Sequence, residues 1–320
     1  MAPNRRWDIG LVRTAIAIAI LLFATACSQL SRATGLSSPI GNPVPATAIA
    51  LTIPTDAIYL VDPVSGRAIP IVTDLVGLQA GYASWSTGHT ALAYGDAGVR
   101  IFDPSKQTST LVIGGSTISM PSFSPRGTSV VFGDGAHMGV LPLAAAEPLP
   151  VPGPVPSLAQ LPLPNTLAPY AFDWAGSKRI VFQGVLLDCS GPEGCLATPT
   201  SDIWTIRPDG TDLLQVTTSG DAGSPKWAPG GHRFLYVRAT ERRGFGSQLW
   251  VAKADGSSPH ALIAARNVVA AAWSQDGTEL VVIRLDVATS SLQIWVGNED
   301  GSNLHQVGVS LPGTTATVDW

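Results

Sequence analysis

The side chains able to do acid–base, nucleophilic or metal chemistry are thinly spread along this chain. Five histidines, His89, His137, His232, His260 and His305, fall in five different turn-rich stretches and read most simply as solvated turn residues. A serine hydrolase would carry Gly-x-Ser-x-Gly or Ser-x-x-Lys, because the nucleophile must be held beside its base. Neither spacing occurs. A zinc site on one element would carry His-x-His or His-Glu-x-x-His, and a calcium loop Asp-x-Asp-x-Asp-Gly. These are missing too. The Asp-Gly pairs that recur, such as Asp209-Gly210, Asp255-Gly256 and Asp300-Gly301, bring one carboxylate per turn, too few oxygens for calcium. The expectation is a non-enzymatic protein with no catalytic residue, metal or cofactor. An enzyme of the lactonase or lyase type, with channel residues drawn from several repeats, would leave no linear motif and stands as an alternative.

The elements that would position any site come from a repeat. Asp202-Ile-Trp-Thr-Ile-Arg-Pro-Asp-Gly-Thr211, Gln248-Leu-Trp-Val-Ala-Lys-Ala-Asp-Gly-Ser257 and Gln293-Ile-Trp-Val-Gly-Asn-Glu-Asp-Gly-Ser302 are near-copies of one phrase. Each reads as a strand, an Asp-Gly turn and a second strand. Their spacing of about 45 residues is that of a four-stranded propeller blade. A second landmark, an aromatic residue followed by a small polar one and a turn, recurs at Trp85, Phe123, Trp174, Trp227, Trp273 and Trp320. Six landmarks predict an all-β, six-bladed β-propeller. The last landmark has one strand only, while residues 46–72 supply three strand-like runs without a landmark. The two ends of the chain are therefore expected to share the closing blade, which leaves no open sheet edge at the seam.

The phrases Phe123-Ser-Pro-Arg-Gly127, Trp273-Ser-Gln-Asp-Gly277 and Ile294-Trp-Val-Gly-Asn-Glu-Asp-Gly-Ser302 resemble the TolB-type propeller repeat. The resemblance covers roughly residues 46–320 and is strongest in the three C-terminal blades. It implies the fold and carries no function with it. The small α/β domain that precedes the propeller in TolB is not expected in the stretch before residue 46.

Residues 1–26 place Arg5, Arg6 and Arg13 before an apolar run of about 13 residues, the length of a signal-peptide core and short of the roughly 20 needed to span a bilayer. Ala24-Thr-Ala-Cys27 resembles a bacterial lipobox, so residues 1–26 are expected to be a lipoprotein signal peptide and Cys27 the lipid-attachment residue. A tether rich in Ser, Pro, Gly and Ala follows over residues 27–45. Localisation is then extracytoplasmic, lipid-anchored to a bacterial membrane. In such an oxidising compartment Cys189 and Cys195, close together in a turn-rich insertion, are expected to form a disulfide rather than a metal pair, since no histidine or third cysteine stands at ligand spacing.

A residue that recurs with the blade period reports on packing, so eight of the nine tryptophans read as blade-to-blade contacts rather than a ligand cage. Binding candidates are the residues that break the period. Tyr82, Met120, Tyr170 and Lys226 differ from blade to blade near the inner strands, where the axial channel opens. Arg242 and Arg243 share the insertion 238–245 with Phe245. A run with prolines at 142, 148, 150, 152, 154 and 156 reads as a stiff, extended connection between blades two and three. The net charge of −4 disfavours nucleic acid as a partner. The sequence points to a monomeric, lipid-anchored envelope module that binds another envelope protein. Small-ligand or glycan binding in the axial channel, on Tyr82 and Tyr170, is the second reading.

Overall fold

The computed structural model describes residues 47–320 apart from 55, 74, 76–81, 116–118, 135, 144–160, 175–176, 192–193 and 240–245. The expected signal peptide over residues 1–26, the expected lipid-attachment residue Cys27, the expected tether over residues 27–45, most of the proline-rich connection, and Arg242 and Arg243 lie outside the described residues. Every element named among the described residues is a β-strand. The strands form six antiparallel sheets, numbered here by landmark: blade 1 over residues 83–114, blade 2 over 119–142, blade 3 over 167–215, blade 4 over 222–261 and blade 5 over 268–312. Blade 6 joins Thr317–Asp319 to residues 49–73. Five sheets have four strands, and blade 2 has three among the described residues.

Each landmark aromatic ends, or directly follows, an inner strand. Those strands are Ala83–Trp85, Ser119–Phe123, Leu167–Asp173, Ala222–Trp227, Val268–Trp273 and Thr317–Asp319. Each touches the next in that order, and Thr317–Asp319 touches Ala83–Trp85, so the ring closes. At the seam Ala50 pairs with Asp319, Leu51 with Val318 and Thr52 with Thr317. This is the expected closure by the two ends of the chain.

The core is distributed in the same way. Six apolar clusters each join two neighbouring blades: Ile49, Leu51, Val281 and Ile283 fill the blade 5–6 interface, and Val181, Ile203, Trp227 and Phe234 fill the blade 3–4 interface. A blade cannot bury both its faces alone, so burial links it to its neighbours around the ring. The Asp-Gly turns are local chemistry. Asp300 Oδ1 accepts the Ser302 N–H at 2.9 Å while Gly301 takes φ = 80°. The longest hairpin, Ile180–Asp188 with Leu196–Ile206, is closed at its exposed tip by the Cys189–Cys195 disulfide.

Candidate functional site

The residue just before each landmark aromatic stands on the inner edge of its blade. Around the ring these are Ser84, Ser122, Asp173, Lys226, Ala272 and Asp319. In blades 2, 3 and 4 the inner strand carries a register shift with a left-handed non-glycine residue, Met120 (φ = 56°), Ala171 (φ = 48°) and Ser224 (φ = 50°). A bulge of this kind re-aims the residues that follow it. The strained backbone thus sits two residues before the axial residue.

Four of the six axial side chains do the same job. Each accepts the backbone N–H of the landmark aromatic in the next blade: Ser84 Oγ from Phe123 at 3.4 Å, Ser122 Oγ from Trp174 at 3.1 Å, Asp173 Oδ2 from Trp227 at 2.8 Å, and Asp319 Oδ2 from Trp85 at 2.7 Å. The last of these crosses the seam. Lys226 has no acceptor and Ala272 no polar atom, so neither can cap the N–H of Trp273 or Trp320 in the way the other four axial residues cap theirs. Lys226 instead reaches over Ala272, placing Nζ 2.6 Å from Asp319 Oδ1, and 3.6 Å from Asp173 Oδ1 on its other side.

One cation is therefore shared by two carboxylates in a largely buried place, with side chains 17% (Lys226), 4% (Asp173) and 12% (Asp319) exposed. Burial pushes the Asp173 carboxyl up; the Lys226 ammonium pulls it back and the Asp319 charge pushes it further, leaving it at about 6. Burial also works against the charge on Lys226, but Asp319 and Asp173 outweigh it and hold the ammonium above the usual lysine range.

Two cavities open at the two ends of the inner strands, and Lys226 lines both. The larger, about 310 Å³, lies at the end that carries the landmark turns. Of the six axial residues it is lined by Asp173, Lys226, Ala272 and Asp319 and not by Ser84 or Ser122, so it opens where the ring of caps is broken. Thr87, Pro125, Pro229 and Gln275 stand at its rim. The rim is braced: Gln275 of blade 5 donates to Ser86 O at 2.9 Å and accepts the Gly88 N–H at 2.8 Å. This clasp spans the place of blade 6, where Thr317–Asp319 and Ile49–Ile53 pair without a turn. The smaller cavity, about 30 Å³, is lined by Tyr82, Phe172 and Ser224.

The sequence candidates divide among these places. Lys226 is at the centre of the charged cluster. Tyr82 lines the small cavity, and burial raises its phenol above the usual tyrosine range. Tyr170 packs beside it against the blade 2–3 core. Met120, placed by its sequence position at the channel, is 1% exposed and belongs to that core, where its Sδ accepts the Ala171 N–H at 3.3 Å. Arg242 and Arg243 lie outside the described residues. Ser84, Ser122, Asp173, Ala272 and Asp319 were not singled out in the sequence. The signal was present as a column: the residue before each landmark aromatic, read down the six repeats.

The tryptophans that line the larger cavity, Trp85, Trp227, Trp273 and Trp320, are 2%, 5%, 3% and 6% exposed, so they contribute packing and not stacking faces. Among the described residues no three His, Cys, Asp or Glu side chains converge to hold a metal ion.

No protein-family model matches this chain, and no curated protein matches it. Among solved structures it is similar to TolB from Acinetobacter baumannii, with a TM-score of 0.61 and 12% identity over 86% of this chain and 67% of that one. A putative TolB from Agrobacterium tumefaciens gives a TM-score of 0.56 and 16% identity, covering 83% of this chain and 92% of that one. An oligogalacturonate lyase in complex with manganese gives 0.50 and 14%, covering 79% and 70%. The chain folds as a six-bladed, TolB-type propeller; at these identities the likeness is one of fold.

Proposed function

We propose that this chain is a non-enzymatic binding module of the cell envelope, held outside the cytoplasm by a lipid on Cys27, and that the larger axial cavity is its recognition centre. The observation that supports this reading is convergence. The cavity, the break in the ring of caps and the buried Asp173–Lys226–Asp319 cluster coincide on one side of the axis. Concave sites with a few converging polar groups and shifted pKa values are where proteins take ligands. Lys226, held protonated by two carboxylates, has no free lone pair to act as a base.

A photo-crosslinking residue at Thr87, on the rim, tests the reading when compared with the same residue at Val64, which is 89% exposed on blade 6 and does not line the cavity. In intact cells discrete adducts are expected from position 87 and not from position 64. Adducts from neither, or equally from both, would overturn it. Cys27→Ala is expected to move the protein from the membrane to the soluble fraction; continued membrane retention would remove the anchor.

An enzyme of the lyase class is the second reading, favoured by one observation: Asp173 lines the larger cavity beside Lys226, and burial raises its carboxyl toward the range of a general base. Formation of unsaturated product from oligogalacturonate, lost in Asp173→Asn, would establish it.

A further inference from the structure

We infer that the larger axial cavity takes a neutral, hydroxyl-bearing ligand, a sugar unit, whose oxygens supply the acceptors that the ring lacks at Lys226 and Ala272. This rests on the cavity being the recognition centre and adds the chemistry of what enters it.

The missing acceptors follow from strand geometry. Ser274 N–H donates to Glu279 O at 3.0 Å, which makes the neighbouring pair, Trp273 with Leu280, one that exchanges no backbone hydrogen bond. The Trp273 N–H therefore points off the inner edge of its blade, as the N–H of Trp227 does toward Asp173. In blade 4 the same register holds, with Ala228 N–H on Arg233 O at 2.9 Å and Trp227 opposite Phe234. By the repeat, Trp320 N–H is turned toward Ala272. Two adjacent donors thus face the axis beside the Lys226 ammonium.

Acceptors stand beside these donors. Asp173 and Asp319 each accept one backbone N–H and approach Lys226, while a carboxylate has about four lone-pair positions to fill. An entering group must accept from the N–H donors and give a proton to the carboxylates. A hydroxyl does both. An anion would add negative charge to a cluster that already holds two carboxylates for one ammonium, in a place of low dielectric. A cation would satisfy the carboxylates and leave the N–H groups facing it. The rim offers further polar contacts at Thr87 and Gln275 and flat apolar ones at Pro125 and Pro229. The volume of about 310 Å³ is at the small end for ligand sites and suits a sugar unit rather than a folded segment.

The test uses three matched probes, glucose, glucuronate and glucosamine, with saturation-transfer NMR on the propeller-bearing full chain. Glucose is expected to bind, with glucuronate and glucosamine at least tenfold weaker. Two variants fill the gap. Ala272→Ser adds the missing acceptor and is expected to weaken glucose binding at least tenfold while raising the Tm. Ala272→Val fills the same space without an oxygen and is expected to weaken binding without raising it. Preference for either charged sugar, no binding by any of the three, or glucose binding unchanged by both variants would overturn the inference. Adducts at position 87 that persist without sugar binding would leave the module reading intact and point to a peptide occupant, whereas absence of both would remove the module reading as well.

Discussion

Two halves of the inner ring hold the same backbone groups by different means. On one side Ser84 and Ser122 cap Phe123 and Trp174 with neutral hydroxyls, and their own oxygens lie 3.5 Å apart. On the other, Asp173 and Asp319 cap Trp227 and Trp85 with carboxylates that need Lys226 between them. Neither serine lines the larger cavity. The charged side opens into the cavity, because a lysine that spans to Asp319 requires a small residue, Ala272, beneath it. Burying charges where serines suffice costs desolvation energy, so the charged half is poorly explained by stability alone. That difference is the reason to seek recognition there.

The largest expected effect breaks the charged half. Lys226→Met leaves two carboxylates facing each other without a cation, and a loss of about 3–5 kcal/mol is expected in urea unfolding at pH 7. Adding Asp173→Asn and Asp319→Asn should recover most of it; failure to recover would mean that the aliphatic stem of Lys226, not its charge, matters.

On the serine side Ser122→Ala strands a buried N–H that is now bonded at 3.1 Å, with an expected cost of about 2 kcal/mol. Ser84→Ala, whose bond is 3.4 Å, should cost about 1 kcal/mol. A serine cost equal to that of Lys226→Met would erase the contrast between the halves.

The pH dependence sharpens it further. Asp173 binds a proton more tightly in the folded chain, at about 6, than at its ordinary 3.8. Its contribution to stability is therefore complete below 3.8 and lost as pH rises through about 6. Turn aspartates such as Asp209 and Asp300 are held below the ordinary value by side-chain and backbone hydrogen bonds, and contribute the opposite slope, lost as pH falls. Urea midpoints between pH 4 and 6 should fall with rising pH relative to Asp173→Asn; parallel curves would take Asp173 out of the account.

The smallest effect is expected far from the axis. Replacing Cys189 and Cys195 by serine opens an exposed hairpin tip that closes a separation of 6 residues, so the cost should sit near the lower end of the range of about 0–5 kcal/mol for a disulfide. Faster proteolysis at the tip with an unchanged ring transition would be its signature.

The repeat made the ring legible. Trp227, Trp273 and the Asp-Gly turns announce strands and hairpins because they act within one hairpin, where sequence neighbours are spatial neighbours. The pairing of Ala50 with Asp319 was also within reach, since a lone strand at one end and three at the other leave an edge that must be covered. The site was less legible. Lys226 breaks the blade period in the sequence, but so do Tyr82, Met120 and Tyr170, which stand at other positions relative to their aromatics. Met120 shows the consequence: a bulge turns it into the core.

Sequence by itself determined the period, the number of blades and which residues end each inner strand, since these follow from local turn chemistry and alternation repeated around the chain. Only the tertiary structure decided that Lys226 meets Asp319, 93 residues away, and that Asp319 in turn caps Trp85, 234 residues away. The physical reason is that a closed ring brings one residue of every blade to a common axis. There the fate of each side chain depends on the size and charge of its neighbours in the circle, an order that no stretch of sequence contains.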